Sequence, residues 1–257
     1  MPIKAGDFIL ADYTCKVKES GDIVDTTIAK VAEEAKLHKH EAVYEPMFIV
    51  VGEGWVTKGF DEGLLGLEAG KTATIEVSPE KGYGTRDPTK IRLIPLRRFK
   101  ADGVTPVPGM QLEIDRKPAL IRSVGAGRVQ VDFNHPLAGK TLIYELSVAS
   151  VIEAKEEKIK AVIHRRLPGV AKEKFGLSLA EKELTVEIPE EAFFLEGLQL
   201  AKRMILTDLE KLTPEIEKIS FIEVFKKPKP PEAKPPVEAK PEQVQASPGI
   251  EQPAQTQ

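Results

Sequence analysis

The stretch Val51-Gly52-Glu53-Gly54-Trp55-Val56-Thr57-Lys58-Gly59-Phe60-Asp61-Glu62-Gly63-Leu64 decides the fold. An apolar strand, Met47 to Val51, leads into it and stops at Gly52. Within it Val56, Phe60 and Leu64 recur at i, i+4 and i+8, one face of a short helix that Gly66 closes. Strands flank it on both sides. Upstream, Ile9, Ala11, Tyr13, Cys15 and Val17 alternate with other residues, the period of a half-buried strand, and Ser20-Gly21-Asp22 turns the chain into the extended Ile23-Val24-Asp25-Thr26-Thr27. Downstream, Ala73, Ile75 and Val77 alternate with Thr72, Thr74 and Glu76. Between the first strands and Met47, the residues Ile28, Val31, Ala32 and Ala35 predict a short helix over 28–40 with Thr27 as its N-cap.

From 86 to 134 the chain changes character. Short β runs at Arg92–Ile94, Met110–Ile114, Ala119–Val124 and Val129–Phe133 are punctuated by Pro95, Pro106, Pro108 and Pro118. Gly125-Ala126-Gly127 is a tight hairpin turn between the last two. This predicts a small β module, followed by a last strand at Leu142–Val148. Residues 154–226 read as an α/β domain. An amphipathic helix carries Ile159, Val162, Ile163 and Arg166; a strand carries Leu184, Val186 and Ile188. Pro189 then opens a helix over 190–212, with Phe194, Leu198, Ala201, Ile205 and Leu209 on one stripe, and Ile219–Phe225 is an apolar strand. Of 20 prolines, eight lie in the 32 residues after Phe225, where no aromatic residue occurs. Residues 227–257 are therefore expected to be a disordered, proline-rich tail.

The 257 residues are 41% hydrophobic and 30% charged, with a net charge of −3. That excludes collagen-like, wholly disordered and membrane-spanning classes, and it offers no general electrostatic case for nucleic acid. The single cysteine, Cys15, rules out an intrachain disulfide and fits a reducing compartment. The N-terminus lacks the apolar stretch of a signal peptide, and no apolar run approaches ~18 residues, so a cytoplasmic protein is expected. Asparagine occurs once, at Asn134, and Lys, Arg and Glu abound, a composition that leans towards a thermophile. Other chemistry is thin. His38 and His40, two apart on a predicted helix, point away from each other, so no metal site is expected. Lys58 has no phosphate-loop context, and Arg97-Arg98 with Lys100 is too short for a nucleic-acid patch.

The opening stretch resembles the signature segment of FKBP-type peptidyl-prolyl isomerases. Further pieces arrive in that family's order: Ala11-Asp12-Tyr13-Thr14, Val24-Asp25-Thr26-Thr27, Glu80-Lys81-Gly82-Tyr83-Gly84, and Asn134-His135-Pro136-Leu137-Ala138-Gly139-Lys140, which resembles the Asn-His-x-Leu-Ala-Gly motif of SlyD-like members. The resemblance covers 1–153, and the rest is similar to the long archaeal form. It implies an α+β fold: a twisted antiparallel sheet around a short helix, an inserted β-rich flap domain and a separate C-terminal α/β domain. The isomerase domain would occupy 1–85 and 135–153, the flap insert 86–134 and the C-terminal domain 154–226.

The resemblance implies a pocket floored by Phe60, where many members carry Trp, with Tyr13, Asp25 and Tyr83 as the other catalytic residues. Met47, Trp55, Val56, Thr57, Leu137 and Tyr144 would bind substrate, Trp55 and Thr57 through their backbones. Thr57 stands where an aliphatic residue is usual, and Met47 and Tyr144 where Phe is usual, departures that bear on macrolide affinity more than on isomerase activity. Asp25 has two open roles: polarising the substrate carbonyl, or fixing Tyr13 by a hydrogen bond. Taken singly, Phe60 and Tyr13 read as core residues, and Asp25 and Tyr83 as turn residues; their joint order carries the functional reading. Rotation about X–Pro breaks no covalent bond, so neither metal nor cofactor is expected. The partners implied are proline-containing unfolded or nascent polypeptides, held by the insert, whose Ile91, Leu93, Ile94, Val104, Met110 and Leu120 are many for so small a module and fit an exposed groove, with an ordinary core of its own as the plain alternative. The apolar C-terminal elements suggest a homodimer interface or another client surface, with a self-contained core as the plain alternative. Two rival functions stand beside the enzyme: a non-catalytic holdase, which needs no aromatic pocket, and a scaffold attached to the ribosome or another assembly.

Overall fold

The computed structural model describes residues 1–39 and 42–225, so the proline-rich tail and His40 lie outside the described residues. The first sheet has five strands, all paired antiparallel: β1 (Phe8–Val17), β2 (Ile23–Thr26), β3 (Met47–Val50), β4 (Thr72–Val77) and β9 (Leu142–Ile152). β1 is its axis. One edge pairs with β9 along its whole length, and the other pairs with β3 at Phe8–Ala11 and with β2 at Thr14–Lys16. Alternation turns Ile9, Ala11, Tyr13, Cys15 and Val17 to one face, where they are buried with Leu142, Tyr144, Leu146 and Val148 of β9. Helix α2 (Lys58–Leu64) covers that face, inserting Phe60 and Leu64.

Two glycines let α2 lie so close. A Cβ at Gly63 would stand 2.6 Å from Ile75 Cδ1 and Cγ2, and one at Gly59 would stand 2.7 Å from Val77 Cγ1. The helix thus rests on β4 through two side-chain-free positions one turn apart, and Phe60 is pressed into the sheet at 2% exposure.

The flap holds β5 (Ile91–Pro95), α3 (Leu96–Ala101), β6 (Gln111–Ile114), β7 (Lys117–Gly125) and β8 (Arg128–Asp132), in sheet order β5-β8-β7-β6. Its own core is Phe99, Ile114, Ala119, Ile121, Val129 and Val131. Ala126 and Gly127 both take positive φ in the β7–β8 turn, as a two-residue hairpin demands. The neck is clasped by Asn134. Its Oδ1 accepts from Asp87 N at 2.9 Å, and its Nδ2 donates to Asp87 O at 2.9 Å and Asp132 Oδ1 at 2.8 Å. Asp132 also pairs with Arg86. Burial works against the Asp132 charge, yet these donors hold its carboxyl below the usual range.

The C-terminal part carries α4 (Lys155–Arg166), β10 (Gly176–Ala180), β11 (Glu183–Ile188), α5 (Leu198–Leu212) and β12 (Lys218–Glu223). β10 pairs antiparallel with β11, and β11 pairs parallel with β12, so α5 is the crossover that a parallel pair needs. Ile159, Ile163, Ile205 and Leu209 fill the space between helices and sheet, and this core continues onto Phe8, Phe48 and Val50, the outer face of the first sheet.

Several local expectations need correction. The first helix, α1, spans only Ala29–Glu34; its N-cap is Ile28, and Thr27 instead donates its hydroxyl to Asp12 Oδ1 at 2.8 Å. Lys36 takes φ +57°, and the amides of Leu37 and His38 close on Ala32 O, which ends the helix before 40. Pro189 opens a 3₁₀ turn at Glu190–Ala192, not the long helix, because Gly197 at φ +81° separates that turn from α5. Phe194 therefore leaves the expected stripe and is 90% exposed. The last strand begins at Lys218 and stops at Glu223, and α3 and β10 had no expectation at all.

Candidate active site

The inward face of β1 and β9 meets the first turn of α2 in three aromatic rings. Tyr13 and Phe60 lie 5.6 Å apart between centroids, Tyr13 and Tyr144 5.8 Å, and Phe60 and Tyr144 4.5 Å. All three are tilted to one another, the arrangement that ring quadrupoles favour. Met47, Val56 and Leu137 pack half-buried around this cluster. Each comes from a different place: the start of β3, the turn before α2, and the segment that re-enters the sheet after the flap.

Asp25 stands at the edge of this apolar surface. Tyr13 donates its hydroxyl to Asp25 Oδ2 at 2.6 Å, and Thr26 N donates to Asp25 Oδ1 at 2.9 Å. A phenol has one proton to give, and here it is given to the carboxylate. Burial first, then the Asp25 acceptor, push the Tyr13 phenol far above its ordinary range. Burial does the same to Tyr144, whose hydroxyl faces the Cys15 thiol and Thr57. The Cys15 thiol itself is pushed up by burial to about 11.

Tyr83 lies on the loop after β4, half-exposed, its ring flat against His135 with centroids 4.2 Å apart. His135 Nδ1 accepts Leu137 N–H at 3.2 Å, so one imidazole braces two of the expected wall residues. Burial, and then the Asp25 charge, raise the Tyr83 phenol.

Trp55 does not join the aromatic cluster through its side chain. The indole turns to the opposite face, edge-on to Phe48 at 5.6 Å, with the Arg165 guanidinium 3.9 Å over its ring. Its position follows from Asp61, which the sequence reading passed over. That carboxylate is buried within α2 and accepts Gly52 N at 2.8 Å and Gly54 N at 3.3 Å, folding the glycine turn back onto the helix so that Trp55 and Val56 diverge to opposite faces. An acidic residue one turn into a helix, after two glycines, was the available signal. Thr57 is the N-cap of α2, with its hydroxyl buried.

A cavity of about 780 Å³ opens beside Tyr13, Val24, Asp25, Met47 and Val56. Among the described residues no group of three His, Cys, Asp or Glu side chains could hold a metal ion, and no helix is long and apolar enough to cross a membrane. His38 stacks on Tyr44 at 5.1 Å.

The chain is similar to known proteins along most of its described length. Residues 1–96 match the family of FKBP-type peptidyl-prolyl cis-trans isomerases, 92–137 the "FKBP26, IF domain" and 155–226 the "FKBP26_C-terminal" domain. The chain is 40% identical over 155 residues to a short-type peptidyl-prolyl cis-trans isomerase of Methanocaldococcus jannaschii, covering 60% of this chain and 98% of that one. It is 29% identical over 160 residues to the FKBP-type isomerase SlyD of Helicobacter pylori (60% and 78% covered), and 29% identical over 137 residues to a probable 16 kDa FKBP-type isomerase of Pseudomonas fluorescens (52% and 81%).

Proposed function

The chain belongs to the FKBP-type peptidyl-prolyl cis-trans isomerases, with a SlyD-like flap insert, and on that footing we propose how its own residues do the work. The observation that carries the proposal is the Tyr13–Phe60–Tyr144 ring cluster with Asp25 bonded to its edge.

The X–Pro bond presents a rotation barrier of ~18–20 kcal/mol because resonance keeps the amide planar. In the twisted transition state that resonance is gone and the C–N dipole is smaller. An apolar aromatic surface therefore binds the twisted amide better than the planar one, and each ~1.4 kcal/mol of that difference is tenfold in rate. In this reading Phe60, Tyr13 and Tyr144 supply the surface, and Met47, Val56 and Leu137 close it. The backbones of Trp55 and Thr57 line the substrate chain, and Tyr83 holds a substrate carbonyl. Of the two roles open to Asp25, the 2.6 Å bond favours fixing Tyr13, because it occupies the phenol proton and holds the ring in place.

The flap is read as the client-capturing module for unfolded or nascent chains. Leu93, Val107 and Val124 are exposed apolar residues there, outside the flap's own core. A chain held on them meets the pocket at a high effective concentration. Leu200 and Met204, one turn apart on the outer side of α5, form an exposed apolar surface suited to a second copy or to a client. The lone, buried Cys15 suits a reducing compartment such as the cytoplasm.

The test is refolding of a proline-limited protein alongside exchange of a short prolyl peptide, with the full chain and with Leu93→Asp. The proposal expects acceleration of both by the wild type and selective loss of the refolding activity in the variant. No acceleration by the wild type, or equal loss on both substrates, would refute it.

A further inference from the structure

The cavity beside Asp25 shares Tyr13, Met47 and Val56 with the prolyl pocket, but Phe60, Tyr83, Leu137 and Tyr144 are not part of its lining. It continues over Leu10, Phe48 and Trp55 and reaches Ala161, Pro168 and Ala171 of the C-terminal domain. Its volume of about 780 Å³ lies within the ~300–1,000 Å³ of ordinary ligand clefts. Its two sides are pinned together at identifiable points. Arg165 lies over the Trp55 ring at 3.9 Å. His164 bridges Glu45 Oε1 at 2.7 Å and Val170 O at 2.9 Å. Glu45 and Trp55 flank β3 in sequence, so the end of α4 grips the strand that carries Met47 into the pocket on both sides. A gap between walls held in this way is built into the fold.

We propose that this cleft is a second subsite of the enzyme, which takes the client residues flanking the prolyl bond and prefers apolar side chains there. The inference rests on the isomerase reading of the pocket. The occupant follows from continuity: Tyr13, Asp25, Met47 and Val56 line both the prolyl pocket and the near end of the cleft, so the chain leaving the prolyl residue on that side enters it directly. An extended chain advances ~3.3–3.6 Å per residue, and its next residues arrive tethered, without a second association cost. The chemistry of the preferred residues follows from the lining. Leu10, Val43, Phe48, Trp55 and Pro168 are apolar; of the charged residues among them, His164 is paired with Glu45 and Arg165 lies on the Trp55 ring, which leaves, beyond Asp25, Lys39, Lys172 and Glu173 as the other charges of the lining. The C-terminal domain is thereby part of substrate recognition, a role distinct from client capture on the flap.

The experiment compares a short Ala-Pro-Phe-type peptide with peptides extended by four apolar residues on one flank or the other, using the full chain. Extension on one flank raises kcat/KM about tenfold in the wild type, equivalent to ~1.4 kcal/mol of added transition-state binding. Ala171→Trp, at an exposed position that a large side chain enters without disturbing the core, and Val43→Glu abolish that gain and leave the short peptide within twofold. Persistence of the gain in both variants, or no gain on either flank, overturns the subsite. A second arm does not depend on turnover: an extended peptide carrying a benzophenone four residues from proline crosslinks to the segment Pro168–Lys172, and crosslinks confined to the flap overturn the subsite. Failure of the wild type on the short peptide counts against the isomerase reading alone, and the crosslink then still decides whether the cleft holds peptide.

Discussion

The bond between Tyr13 and Asp25 makes the sharpest prediction, because it separates the two roles open to the carboxylate. Tyr13→Phe removes the donor and keeps the ring, which is 6% exposed and packs on both Phe60 and Tyr144. A hydrogen bond to a charged acceptor contributes ~1.5–3 kcal/mol. Asp25 is exposed, so water replaces part of what is lost, and the lower end applies. The expected fall in kcat/KM is therefore about tenfold. If Asp25 acts by holding Tyr13, Asp25→Ala falls by the same factor, and the double variant is no worse than either single one. The assay is cis/trans exchange of an Ala-Pro peptide by NMR, with thermal unfolding of each variant as a control for folding. A nearly unaffected Tyr13→Phe beside a strongly impaired Asp25→Ala, with multiplicative losses in the double variant, would refute the reasoning and leave Asp25 acting on the substrate itself.

Three further predictions concern the scaffold. Gly63→Ala forces a Cβ to within 2.6 Å of Ile75, and overpacking less the gain in helix propensity destabilises the protein by about 1–2 kcal/mol; a urea midpoint equal to wild type would show that α2 does not rest on β4 at this point. Burial raises the Cys15 thiol from 9.0 to about 11 and lifts the Tyr13 and Tyr144 phenols above their ordinary range, so the folded state holds these protons more tightly than the unfolded one. The contribution of these three groups to stability is thus constant below about pH 9 and falls as the pH climbs towards 11 and beyond, and Cys15→Ala removes the earliest part of that fall, which urea titrations at stepped alkaline pH will show or deny. Arg165→Met takes the cation off the only tryptophan of the chain, shifting Trp55 emission and costing ~1–2 kcal/mol; an unchanged spectrum would contradict the packing of α4 on that ring.

Strand alternation and the glycine-rich stretch were enough to locate the strands of the first sheet and α2, because period-2 and period-4 patterns record which face is buried; that their aromatic residues form one cluster was legible only through the family resemblance. Tyr13, Phe60 and Tyr144 sit at inward positions of those patterns. Less legible was whatever depends on partners distant in sequence. Trp55 lies within the signature stretch, yet its indole faces Phe48 and Arg165, the latter 110 residues on, and no local pattern records that. The early end of α1 is set by Lys36 in a left-handed conformation, where no glycine marks the stop. The opposite happened after Pro189: the apolar spacing of Phe194 and Leu198 continues the helical stripe, but Gly197 breaks the backbone between them. The strand β10 has mixed small and apolar residues, and its pairing with β11 supplies what its own pattern lacks.

The central claim is that an apolar aromatic surface, with no bond-making group, lowers the prolyl rotation barrier. Phe60→Ala tests it most directly, since Phe60 contacts both tyrosine rings and carries no polar atom in its side chain. Exchange of an Ala-Pro-Phe peptide by the full chain should be fast in the wild type and lose about tenfold or more in kcat/KM on this truncation, each tenfold being ~1.4 kcal/mol of differential binding, with the variant still folded. A folded Phe60→Ala that turns over the peptide at the wild-type rate would contradict the account.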